Sequence, residues 1–168
     1  MQTIFIVSVL LLLFLLYLAF RKKPVNKDCD GSYVFLKSSL DRVISRCRLL
    51  ISEMDFLKNE IIALDSRNKK VVSILERKNV VAERCFSLAE VQSCRMITET
   101  DQSMGYIRRV VLQLILRGGE VIGFNFFDEV RDRRQELPSQ VRKAKYWKSK
   151  IQLHLNSLKQ DSKFEYVL

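Results

Sequence analysis

Residues Thr3 to Phe20 contain no charged side chain. An α-helix rises 1.5 Å per residue, so a run of about 18–20 apolar residues covers the roughly 30 Å hydrocarbon core of a bilayer. Tyr17 and Phe20 lie near one end, where aromatic rings favour an interface, and Arg21-Lys22-Lys23 then stop the run before Pro24. A cleaved signal peptide would need a basic leader and a small-x-small site. Met1-Gln2-Thr3 and Ala19-Phe20-Arg21 supply neither. The expectation is an uncleaved transmembrane anchor over residues 1–23. The cations lie on its C-terminal flank, so the positive-inside rule places the rest of the chain in the cytoplasm.

Beyond the anchor, residues 24–35 are expected to form a linker, 36–160 a folded unit and 161–168 a frayed tail. Leu36, Leu40, Val43, Cys47, Leu50, Met54, Leu57, Ile61 and Leu64 recur at steps of 4 and 3, an unbroken heptad seam. Ile44, Ile51 and Ile62 broaden it into a bundle face. Val80, Val81, Cys85, Leu88, Val91, Cys94 and Ile97 form a second apolar set consistent with helix. Tyr106 to Leu116 could be a buried strand, but no partner strand stands out elsewhere, which favours helix. Gly118-Gly119 marks a loop. A last seam runs from Phe127 to Leu158, with Pro138 inside it predicting a kink or a helix junction. The predicted fold is therefore all-α: an N-terminal transmembrane helix followed by an antiparallel bundle of three to four long helices.

The chemistry-bearing residues are sparse. Cys29, Cys47, Cys85 and Cys94 form no CxxC pair, and His154 is the only imidazole. Core packing is the expected role of Cys47, Cys85 and Cys94. No metal site, cofactor or catalytic residue is expected, and the chain is not predicted to be an enzyme. The balance of 29 Lys+Arg against 19 Asp+Glu gives a net charge of +10. The segment Arg142 to Lys150 packs five cations with Tyr146 and Trp147. It suits a solvated helix face, anionic lipid headgroups or, less well beside an anchor, nucleic acid. Arg21, Lys22, Lys23, Arg142, Lys143, Lys145, Lys148 and Lys150 are the expected membrane contacts.

Three stretches resemble the LemA family of bacterial, membrane-anchored helical proteins. Arg46-Cys47-Arg48-Leu49-Leu50-Ile51-Ser52-Glu53-Met54 resembles that family's R-R-x-D-L-I-P-N-L, with Ser52-Glu53 replacing the Pro-Asn pair. Ile107-Arg108-Arg109-Val110-Val111, followed by Asn125-Phe126, is similar to a second motif. Trp147, Ile151 and His154 occupy the aromatic, aliphatic and aromatic places of a third. The resemblance implies an N-terminally anchored antiparallel bundle without a catalytic site, drawn outside the cytoplasm. Arg109, Asn125, Phe126 and Trp147 are the expected structural joints. The expected function is a non-enzymatic scaffold or organiser of a membrane-associated assembly, with a lipid bilayer and protein partners. A lipid- or partner-binding basic helix and a coiled-coil homo-oligomer on the 36–64 seam are the alternatives.

Overall fold

A computed structural model describes residues 30–78 and 80–164, with side-chain packing over 33–78 and 80–160. The chain divides into two units after Asp30, and the elements that follow build the second. Helix α1 (Asp30–Cys47) leads into strands β1 (Glu53–Leu57), β2 (Glu60–Asp65), β3 (Lys70–Arg77) and β4 (Val80–Ser87). Strands β5 (Val91–Thr100), β6 (Ile107–Leu116) and β7 (Val121–Asp128) follow, and helix α2 (Leu137–Phe164) ends the described chain. The strands form two antiparallel meanders, β1-β2-β3-β4 and β5-β6-β7.

The all-α bundle is corrected by this β-rich architecture, and with it the 36–160 bundle and the coiled coil. Only the first part of the 36–64 seam is helical. Leu36, Leu40 and Val43 lie on α1 and are fully buried or nearly so. The helix then stops: Arg48 takes a φ of 51°, and the Leu49 N–H bonds the Ile44 carbonyl at 3.0 Å. A left-handed residue just past a helix cannot propagate it. The remaining seam residues pass into loop, β1 and β2. Every residue of β2 is buried, so its apolar positions satisfy a 3/4 spacing without being helical; a strand covered on both faces reads as a continuous apolar run. The apolar set of 80–97, expected as helix, falls on β4, a short 3-10 turn (Leu88–Glu90) and β5, and that of 106–116 on β6; Gly118-Gly119 connects β6 to β7.

Two cores share the first sheet. Its outer face, Ile61, Ala63, Val72 and Ile74, packs against Leu36, Leu40, Val43 and Leu49. Its inner face gives Ile62, Leu64, Val71 and Phe86 to a larger core with Val110, Leu112, Leu114, Phe124 and the α2 residues Ala144, Trp147, Ile151 and Leu155. Pro138 falls in the first turn of α2, where its missing N–H costs nothing, so the predicted kink does not arise.

The membrane expectation is corrected for the described residues: no helix among them is long and apolar enough to cross a membrane. Thr3–Phe20 and Arg21, Lys22 and Lys23, on which the anchor rested, lie outside the described residues. The bundle that the LemA resemblance implied is likewise not formed. Its three stretches fall on the end of α1 with the loop into β1, on β6 with β7, and on α2.

Candidate functional site

The two sheets leave between them a polar cleft of about 450 Å³. Glu60, Leu75 and Arg77 line it from the first sheet, and Ile97, Glu99, Arg109, Val111, Gln113, Gly123 and Asn125 from the second. Strand alternation explains the lining. On β6 the side chains of Val110, Leu112 and Leu114 enter the core, so Arg109, Val111 and Gln113 take the cleft side. Gly123 leaves the wall open: a Cβ there would stand 3.3 Å from Val111 Cγ1.

Glu60 is the unusual group, 3% exposed at the start of β2. It accepts from the backbone N–H of Asn125 at 3.2 Å, and the Ser73 hydroxyl also bonds it. Asn125 is the last residue before a bulge in β7, where Val110 pairs with Phe127 and Val111 with Asn125. The bulge leaves Phe126 unmatched, and both Phe126 and Phe127 are buried. Burial raises the Glu60 carboxyl to about 7, because the Asn125 N–H and the more distant Arg77, together with Ser73 and Arg131, offset only part of its desolvation.

Asp65, at the other end of β2, provides the contrast. It is also buried, which alone would raise it, but it accepts from the N–H groups of Asn68 (2.8 Å) and Leu50 (2.8 Å) and from Asn68 Nδ2 (2.7 Å). These bonds outweigh desolvation and hold it below the ordinary carboxylate range. Asp65 is a finished turn joint, whereas Glu60 is an under-satisfied acid in a cleft.

The three guanidiniums of the cleft are not equivalent. Arg131 is locked: Nη1 donates to Asn59 Oδ1 at 3.1 Å, Nη2 lies 3.5 Å from Asp128 Oδ2, and the Asn125 side-chain oxygen accepts from it. Arg109 has only a loose pair with Glu99, at 3.9 Å between two half-exposed side chains. Among the described residues Arg77 has no hydrogen-bond partner, and its tie to Glu60 is long-range attraction. The cleft thus presents two available guanidiniums above a buried carboxyl.

No family model, curated protein or solved structure matches the chain. Among the described residues no group of three or more His, Cys, Asp or Glu side chains is placed to hold a metal ion.

The residues singled out from sequence are dispersed. Arg109 and Asn125 share the cleft, Phe126 is in the core, and Trp147 is 1% exposed on α2. The basic segment is partly spent on docking α2 to β1. Lys143 pairs with Asp55 at 3.0 Å, Lys150 with Glu53 at 2.7 Å, and the Trp147 indole N–H donates to Asp55 at 2.7 Å. Tyr146 donates to Glu53 at 2.6 Å. Arg142, Lys145 and Lys148 are exposed. Sequence reasoning missed Glu60, Arg77 and Arg131. The one signal for Glu60 is an acid opening the apolar run Ile61-Ile62-Ala63-Leu64.

Proposed function

We propose that this domain is a binding module, not an enzyme, and that its inter-sheet cleft receives a small oxyanion, a carboxylate or phosphate group, on Arg77 and Arg109. The observation that carries this reading is the pair of guanidiniums without close partners over the buried Glu60. Planar guanidiniums match oxyanions bidentately, and a cleft with low-dielectric walls strengthens the attraction.

Sulfate is the probe of choice, since its charge is constant between pH 6 and 8. Thermal melts in sulfate, against chloride at equal ionic strength, should show a Tm rise that Arg77→Gln/Arg109→Gln removes. Specific binding stabilises only the form that carries the site, whereas general salting-out would act on both proteins alike. The rise should be larger at pH 6 than at pH 8, because Glu60 gains a proton across its value of about 7 and the cleft loses a negative charge. An equal rise in the double variant, or none in the native chain, rejects the reading.

A further inference from the structure

A second site lies on the opposite face of the first sheet, away from the cleft. Cys47 is the last residue of α1, and Cys85 lies on β4. The two are 38 positions apart in sequence, yet Arg42 and Arg46 of α1 pair with Glu83, two residues before Cys85, and so bring the end of α1 onto β4 beside it. Both cysteines are half-buried against the core between α1 and the sheet, and both line one open cavity of about 440 Å³ with Arg46, Glu83 and Arg84. The third described thiol, Cys94, is buried in the other core, and burial raises it to about 12. It is therefore the inert one.

The geometry points to Cys47 and Cys85 as a redox-modifiable dithiol that closes to a disulfide and clamps the end of α1 to β4. The oxidant is a small disulfide of the glutathione type. In the first step Cys47 Sγ attacks the oxidant, forming a mixed disulfide and releasing one thiol. In the second, Cys85 Sγ, its proton passing to solvent, attacks the Cys47 sulfur, forming the Cys47–Cys85 bond and releasing the second thiol. The protein loses two electrons and two protons, and the oxidant becomes two thiols.

Two features favour the bond. The open cavity admits a small oxidant to both sulfurs. The end of α1 is already fixed on β4 by Arg42 and Arg46, which reach Glu83 at 2.8 and 3.4 Å, so closing the bond orders little that is not ordered already. Burial, and then the neighbouring Cys47 thiol, raise Cys85 to about 11, so thiolate is scarce at neutral pH and closure is slow.

The test incubates the full-length chain with oxidised glutathione and alkylates the remaining thiols. A protease that cuts after Asp and Glu then separates the cysteines, placing Cys47 on 42–53, Cys85 on 84–90 and Cys94 on 91–99. The expected product under non-reducing conditions is 42–53 linked to 84–90. The oxidised chain should melt roughly 5 °C or more above the reduced one, since the bond closes a loop of this length. Dithiothreitol should reverse the rise, and both Cys85→Ser and Cys47→Ser should lack it. Alkylation of both cysteines after oxidation, a link to Cys29 or Cys94 instead, or glutathione adducts alone would overturn the inference.

Discussion

Glu60 and Asp65 bracket one strand, and their surroundings move them in opposite directions. The folded Glu60 carboxyl, at about 7, lies above its ordinary 4.5, so between those values the folded chain holds a proton that the unfolded chain has released. Stability from this group is fully present below about 4.5 and is lost as pH rises through 7. The span of shift corresponds to a loss on the order of 3 kcal/mol. Glu60→Gln keeps an acceptor for the Asn125 N–H, lets Ser73 accept, and carries no charge to desolvate. Denaturant melts of the variant should be flatter than native between pH 5 and 8, and the variant should be the more stable protein at pH 8. A native-like slope would place the titration elsewhere. At this scale the sequence was least informative. A lone acid in an apolar run looks the same whether it ends as a solvated side chain or, as here, meets the backbone of a strand 65 residues away.

At the scale of elements, α2 is held by an apolar stripe and a polar seam. Ala144, Trp147, Ile151 and Leu155 enter the core, while Glu53 and Asp55 of β1 receive Lys150, Tyr146, Lys143 and the Trp147 indole. Burial would raise Glu53, but the bonds from Lys150 and Tyr146 outweigh it and hold it low. The lysine pairs are partly exposed, and such pairs contribute roughly 0–1 kcal/mol. The indole–carboxylate bond, made by the buried Trp147 ring to a part-buried Asp55, should matter more. Asp55→Ala strands the Trp147 N–H at a cost of about 1–3 kcal/mol. A double-mutant cycle with Trp147→Phe should return a coupling of about 1 kcal/mol or more at 2.7 Å; a coupling near zero would show that the bond adds nothing beyond ring packing. The α2 helix itself was legible, because its stripe recurs at steps of 3 and 4. The strands were legible only through their turns. Asn59 and Asn68 fall 9 positions apart, each in a connection of the first meander, with Lys58, Lys69 and Lys78 at positive φ. Asparagine at such an interval is a meander signal. The heptad spacing drowned it out, since α1 supplies true helical steps and β2, buried on both faces, continues them by chance.

At the scale of the molecule, β2 belongs to two cores at once. Ile61 and Ala63 meet α1, while Ile62 and Leu64 meet the core that holds Trp147. The first sheet is therefore the middle layer of the described unit, and damage on its α1 side must reach the far side through β2 and β3. Trp147 is the only tryptophan in the chain and lies wholly in the second core. Leu36→Ala removes a fully buried side chain from the first core and should cost about 2–5 kcal/mol. If the sheet couples the layers, denaturant unfolding remains one transition. The midpoint reported by Trp147 fluorescence should then fall by the same amount as that reported by far-ultraviolet circular dichroism. If α1 were an appendage, dichroism would show an early loss of helix while the Trp147 signal kept its native midpoint. Coincident curves would establish that the two-faced strand, read from sequence as one seam of a bundle, makes α1 and the seven strands a single cooperative unit.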